Sequence, residues 1–412
     1  MNKANSKQIL WLLFFTTFLE LLGLSLAIPI FAPLLFNSSH ALAANIGEQS
    51  RHIVYGLLIA SYPLAQFFGT PVLGALSDRY GRKPLLIFSR AGTLVSYLVI
   101  AYSIATGNLL LLFIARLFDG FTGGNISVAQ SAIADISEAK DKSKNFGFIG
   151  MAFGLGFIVG PALGGILSDP AIVSWFSYST PFLLAAIITA LNIIWVAYKL
   201  PETLAVKSKH AIHPLAGIVN IRRSILDPAL RIIFIVFFLY TFGFNFFSQF
   251  FQVYLVKAFS ANQRDIGFIF AYIGIWIALT QGVTNRFVAS RFAPDKILRI
   301  SLFMLAMVLP LLVLPNKMVY LYLIMPFVAT FSGLSMPNST AVISNCAPSD
   351  KQGEILGTSQ SLQAAGMALP PLIAGFLSIL DTRLPIITAG GLILIAWLIF
   401  VTMFKSPKND VV

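Results

Sequence analysis

The sequence predicts an all-α membrane protein, with 12 transmembrane helices in two pseudo-symmetric six-helix bundles. Three observations carry this. Charged residues make up only 11% of the 412-residue chain and apolar ones 57%, whereas a soluble domain carries about 25% charged residues. The apolar residues gather into runs long enough to cross a bilayer, which takes about 20 residues of helix. The first half of the chain is also repeated in the second. Mean hydropathy of +0.83 agrees. A soluble globular enzyme is excluded on these grounds.

The runs cover approximately 10–36, 53–76, 85–105, 109–133, 146–168, 179–198, 230–256, 266–286, 297–314, 319–343, 355–379 and 384–404. Each is continuously apolar, whereas strands of an outer-membrane barrel alternate over ~10-residue segments. The first run follows Lys3 and Lys7. At about 27 residues it is too long for the h-region of a signal peptide and lacks a small-residue cleavage site, so it reads as a retained span. Connections are short except for Lys199–Arg231, which divides six spans from six. One cysteine, Cys346, excludes an intramolecular disulfide and a cysteine-based metal cage.

The net charge of +12 raises a nucleic-acid reading, and the placement of the charge answers it. With the N-terminus inside and loops on alternating sides, 22 of 28 Lys and Arg fall inside, among them Arg79, Arg82, Lys83 and Arg90. Five fall outside, and Arg116 lies within a span. This is the positive-inside bias of a multi-pass protein with both termini cytoplasmic, and it calls for no nucleic-acid partner.

Shifting the chain by 210 places Gly147, Gly156, Pro161, Gly165 and Leu167 on Gly357, Gly366, Pro371, Gly375 and Leu377. It also places Gly123 on Gly333. At 212, Arg79-Tyr80 meets Arg291-Phe292, and at 220 Phe18-Leu19 and Gly23 meet Phe238-Leu239 and Gly243. Offsets that drift only in loops mark a duplicated unit. The expected domains are a six-helix bundle over 1–200, a cytoplasmic central loop over 201–229 and a second bundle over 230–412. Two such parallel halves are a transporter architecture, with the substrate site near the midplane.

After the second span the chain reads Gly74-Ala-Leu-Ser-Asp78-Arg79-Tyr80-Gly81-Arg82-Lys83-Pro84. An acid among three cations at a membrane face can latch one conformation and release it in another. The fifth span contains Gly154-Leu-Gly156-Phe-Ile-Val-Gly160-Pro161-Ala-Leu-Gly164-Gly165. Its crowded glycines permit close helix packing, and Pro161 bends the span.

The first run resembles the loop signature of the major facilitator superfamily, and the second resembles the antiporter motif of the drug:proton antiporters. The similarity extends to the tetracycline-type branch over residues 10–170. It includes Leu19-Glu20-Leu-Leu-Gly23 with Pro29, Arg116 with Gly120, and Ala134-Asp135; beyond that stretch, Leu-Pro201-Glu202-Thr203 after span six also resembles the branch, and the C-terminal half does so only weakly. The resemblance implies the major facilitator fold, no cofactor, no enzymatic activity and a proton-coupled carrier of small molecules. It implies a proton-coupling role for Arg116 and a gating role for the loop signature. Departures are Glu20 where that branch usually has aspartate, Ser96 at an expected third-span acid, and Asp119 as an extra acid. The second loop copy, Ser290-Arg291-Phe292-Ala293-Pro294-Asp295, is degenerate.

Of the 44 charged residues, the loop assignment leaves three well inside spans: Glu20, Arg116 and Asp119. Each costs about 2.5–3.5 kcal/mol at a helix centre on insertion scales, which calls for a compensating role. Glu20 and Asp119 each lie ten residues into their runs, about 15 Å deep. Arg116 and Asp119, three apart, share a helix face and can pair. Either a static salt bridge or a switching proton relay accounts for them. Glu20 is expected to carry the proton, alone or with Asp119, although it could instead recognise a cationic cargo.

The second half offers aromatics and amides instead. The expected substrate contacts are Tyr240, Phe244, Asn245, Gln249 and Gln252 on span seven, Gln281 on eight, Asn338 on ten and Gln363 on eleven. Such groups suit an amphipathic ligand, although most of the 37 phenylalanines simply pack or face lipid. All four histidines (His40, His52, His210, His213) are expected in loops, and the His210/His213 spacing favours a solvated loop over a metal site. Asn37-Ser38-Ser39 fits a glycosylation sequon.

The expectation is a monomeric secondary transporter of the bacterial cytoplasmic (inner) membrane. Its partners are a small-molecule substrate, protons and the lipid bilayer, and it exports an amphipathic drug-like compound by alternating access. No nucleotide-binding loop is present, so ATP does not drive it directly. A carrier of a polar metabolite or siderophore in either direction is the alternative, and a non-transporting receptor a further one. Arg116→Ala abolishing cargo binding would point to an anion, and absence of any flux to a receptor.

Overall fold

The computed structural model describes residues 3–36, 40–44, 46–137, 142–204, 230–346 and 352–404. Among them the regular structure is helical, without strands. The central loop cations, His210, His213 and the sequon at Asn37 lie outside the described residues.

The first six spans comprise α1 (Lys3–Leu26) with α2 (Ile28–Phe36), a short α3 (Ala41–Ala44), α4 (Glu48–Tyr80), α5 (Arg82–Thr106), α6 (Leu109–Thr122) with α7 (Asn125–Asp135), α8 (Lys142–Leu167) and α9 (Thr180–Lys199). The later spans comprise α10 (Arg231–Phe259), α11 (Gln263–Leu279) with α12 (Asn285–Ala289), α13 (Pro294–Leu311), α14 (Leu321–Cys346), α15 (Gln352–Ala368) with α16 (Pro370–Leu380), and α17 (Leu384–Met403). Ten of these stretches are long and apolar enough to cross a membrane, and Gly154–Leu167 is a shorter apolar helix. α13 is apolar after Asp295, Lys296 and Arg299 in its first turns. Together they match the twelve runs. Leu110, Ile187, Leu191, Leu323 and Leu380 are each at least 60% exposed, which suits lipid rather than water.

Local chemistry sets the boundaries. Gly81 (φ 117°) and Gly107 (φ 70°) adopt conformations that L side chains rarely take, and they end α4 and α5. Asn108 caps α6 by accepting a hydrogen bond from Leu111 N at 3.0 Å. Proline sits in the first turn of α9, α13, α16 and α17, where its missing N–H costs nothing. Several spans are interrupted: at Ala27, at Gly123-Gly124, by a π-helical segment Thr280–Thr284, and at Leu369-Pro370.

The chain forms two compact units. The first draws on Met1–Arg51, Ser61–Leu215 and Ala261–Ala271, and the second on His52–Ala60, Ala216–Ser260 and Tyr272–Val412. In the first, Leu13, Leu86, Val128, Ala132 and Val196 bring α1, α5, α7 and α9 into one buried cluster. α1 also lies along α8. A Cβ on Gly156 would come 2.8 Å from that of Leu21, and one on Gly160 would come 2.9 Å from Leu22 O. Ser25 Oγ donates to Gly156 O at 2.8 Å. In the second unit, Gly366 meets Thr241 and Phe242 of α10 in the same manner. This pair of duplicated glycines therefore makes duplicated contacts.

Candidate functional site: a buried charge cluster in the first unit

Glu20 projects from α1 and is 1% exposed. Its Oε2 forms an ion pair with Arg90 Nη1 of α5 and accepts a hydrogen bond from Asn125 Nδ2, at the start of α7, at 3.1 Å. Tyr62 Oη of α4 lies 3.5 Å from Glu20 Oε1. Arg90 Nη2 is 3.4 Å from Thr189 Oγ1 of α9. Four helices thus meet at one carboxylate, and α9 joins them through Arg90.

The second acid is held differently. Arg116 Nη1 reaches Asp119 Oδ2 at 3.4 Å along α6. The guanidinium also lies over the rings of Tyr62 at 4.9 Å and Phe31 at 5.3 Å, favourable cation–π placements. Among the described residues, Asp119 Oδ1 and the Nε atoms of Arg90 and Arg116 have no hydrogen-bond partner. The cluster combines one tightly held acid with one loosely held acid.

Arg90 corrects the sequence reading, which placed it among the loop cations and left three charges inside spans. It is fully buried. Its position, sixth in the run that starts at 85 and about 12 Å along α5 from Arg82, was the available signal. Removing it from the inside tally leaves the charge asymmetry intact. The histidine assignment also fails for His52. Because α4 begins at Glu48, ahead of its apolar run, His52 is helical and buried, with Nδ1 2.8 Å from Ser378 Oγ. His40 is half-buried against the Tyr178 ring, and that burial lowers its pKa from 6.5.

The loop signature forms a second charged group. Arg82 pairs with Asp78 at 2.5 Å and with Asp135 at 3.1 Å, and its Nη1 donates to Ser77 Oγ at 2.6 Å. Glu202 accepts the backbone N–H groups of Arg82 at 2.9 Å and Lys83 at 3.2 Å. A carboxylate from beyond span six thereby caps the N-terminus of α5, where the helix dipole favours negative charge. Gly81 lets Glu202 approach, since a Cβ there would lie 2.9 Å from its carboxyl carbon. Arg79 is exposed and turns towards Tyr80, and Gly74 makes only an ordinary contact with Ser127. Among the antiporter-motif residues, a Cβ on Gly164 would press against Leu26 O and Pro29. Gly165 meets Gln263 and Arg264, and Pro161 O approaches Gly267.

The expected substrate contacts fall into groups. Tyr240 is buried, donates to Ser332 O at 3.2 Å and stacks near Phe244. Gln249 Nε2 donates to Asn245 Oδ1 at 2.9 Å and Met367 O at 3.1 Å, while Gln252 is buried one turn on. Asn338 pairs with Asn285 at 2.9 Å. Gln363 is half-buried, and Gln281 is exposed on the π-helical segment. Among the described residues no group of three or more His, Cys, Asp or Glu could hold a metal.

Apolar spans enclosing ionisable side chains define a multi-pass membrane protein. The chain belongs to the Major Facilitator Superfamily, whose family model matches residues 13–371 and 233–411. Its similarity lies with the tetracycline-type branch of the drug:proton antiporters, and it is a transporter, not an enzyme. It is 29% identical over 362 residues to the class C tetracycline resistance protein of Escherichia coli, covering 87% of this chain and 86% of that protein. Multidrug resistance protein 2 of Bacillus subtilis is 25% identical over 409 residues, 98% and 97% of the two chains. The crystal structure of the human organic anion transporter MFSD10 matches with a TM-score of 0.72 at 24% identity, covering 97% of this chain and 100% of that one.

Proposed function

We propose that the protein is a proton-coupled secondary transporter that exports a small amphipathic compound, drug-like or tetracycline-like, by alternating access. It acts as a monomer in the bacterial cytoplasmic membrane with both termini cytoplasmic. The buried cluster of Glu20, Arg90, Arg116 and Asp119 carries this reading. Charges inside a membrane bundle are expensive unless used, and a carboxyl that changes partners supplies the means to take up and release a proton. The tetracycline and multidrug resistance proteins among the relatives support the cargo class. Alternating access also gives the Asp78–Arg82–Asp135 group a gating role, with Gly74, Arg79, Gly81 and Lys83 around it. The amide and aromatic face of α10 offers hydrogen bonds and apolar surface to a cargo.

The test is proton flux in inside-out vesicles energised to be acidic inside, with an internal pH dye. Tetracyclines, lipophilic cations and hydroxycarboxylate chelators are added in turn to wild type, Glu20→Gln and Asp119→Asn. A compound that drives protons out of wild-type vesicles but not out of an acid variant supports antiport. Silence across the panel with folded protein counts against drug export.

An acidic cargo is the second reading, favoured by the Nε of buried Arg116, which has no hydrogen-bond partner among the described residues, and by the organic anion transporter named among the similar structures. Under that reading Arg116→Ala abolishes cargo binding itself, not only its coupling to protons.

A further inference from the structure

We propose that Arg90 is a positioning residue that divides labour between the two buried acids. It fixes Glu20 as a permanent counter-charge and leaves Asp119 as the acid that exchanges the proton. The inference rests on the proton-coupled reading and assigns its residues.

The contrast between the two carboxylates carries it. Glu20 has Arg90 and Asn125 on one oxygen and Tyr62 beside the other. A proton arriving on Glu20 Oε2 must displace a donor, and one on Oε1 must turn the Tyr62 hydroxyl; either leaves the fully buried Arg90 guanidinium facing a neutral acid. Asp119 has a single long contact to Arg116 at 3.4 Å, and its Oδ1 is free of donors among the described residues. A proton can settle on that oxygen without breaking a hydrogen bond. Arg116 then keeps its ring contacts with Tyr62 and Phe31, so the change of state leaves it supported. Among the described residues, the remaining ionisable neighbours of both acids are Tyr62 and Tyr97, from α4 and α5. With Arg90 neutralising Glu20, the cluster holds one exchangeable negative charge, not two.

The arrangement predicts a gain as well as a loss. Releasing Glu20 from Arg90 should turn it into a second exchanging acid. The experiment is pH-difference infrared spectroscopy of the purified full-length protein in liposomes without cargo. It follows the carbonyl band of protonated carboxyls in a dry environment, distinct from solvated ones. Wild type should show one such band that changes with pH. Asp119→Asn should remove it. The charge-balanced double variant Glu20→Gln/Arg90→Leu should keep it, and Arg90→Lys should leave it single. Arg90→Leu alone should roughly double the titrating signal, and if that variant fails to fold, the double variant decides.

A band that survives Asp119→Asn, that vanishes in the double variant, or that is missing from wild type overturns the assignment. Because no cargo is present, the two levels of inference fail separately. An Asp119 band without proton flux in any vesicle assay defeats the export reading alone, and coupled flux with the band on Glu20 defeats the role of Arg90 alone.

Discussion

Gly123 shows how narrowly the charge cluster is fitted. A Cβ at that position would press into Tyr62 Oη and lie 2.9 Å from Glu20 Oε1 and 3.0 Å from the carbonyl of Asp119, so the glycine makes room for both the Tyr62 hydroxyl and the carboxylate and lets α6 end beside them. Gly123→Ala is expected to leave the fold intact while moving Glu20 off its partners. Proton-driven accumulation in vesicles should fall by roughly tenfold or more, because misplacing a working group by a fraction of an ångström is costly. An unchanged rate at matched protein levels would mean that Glu20 tolerates displacement. At this scale the sequence was partly legible. Glu20, Arg116 and Asp119 stand out as lone charges in apolar runs, but Arg90 sits close enough to Arg79, Arg82 and Lys83 to merge with the loop cations. Its pairing with Glu20, across 70 positions, has no local signature.

Among the elements, α8 and α1 form the pair on which the site depends, since α1 carries Glu20. The glycines of α8 are not equivalent. A Cβ on Gly164 would come within 2.5 Å of Leu26 O and 2.9 Å of Pro29, whereas one on Gly154 would meet nothing within 4 Å. Gly164→Ala should therefore destabilise by about 1–3 kcal/mol through overpacking, and Gly154→Ala should be close to neutral. Thermal unfolding in detergent compares the two, and equal effects would contradict the packing described. Composition and motif revealed that α8 packs closely but not against which helix. Helix positions were legible from hydropathy throughout, because lipid exposure demands continuous apolar runs. The interruptions at Gly123-Gly124, Thr280–Thr284 and Leu369-Pro370 were not, because glycine, proline and uncharged polar residues also occur inside unbroken membrane helices. The reach of Glu202 to the start of α5 spans 120 positions and equally escapes a local reading.

For the whole molecule, the charge asymmetry makes a topological prediction. In a variant with Cys346 replaced by serine, a single cysteine introduced at Lys408 should react with a membrane-impermeant maleimide in inside-out vesicles and not in intact cells. One introduced at Lys317 should show the opposite pattern. Reaction from the wrong side at either position would reverse the assigned topology. Fold class followed directly from composition, run length and internal repeat, since the bilayer permits few architectures.

The repeated glycine contacts also give the molecule its own calibration. Gly156 sits against Leu21 and Leu22 in the unit that holds the buried acids, and Gly366 sits against Thr241 and Phe242 in the unit where α10 carries amides and aromatics in place of acids. The same enlargement, glycine to alanine, can thus be made twice in nearly the same surroundings. Loss of thermal stability should be similar at both, whereas loss of proton coupling should follow only Gly156→Ala. Subtracting one result from the other separates the mechanical consequence of a crowded helix pair from the electrical consequence of a displaced carboxylate, with the ancient duplication serving as the reference.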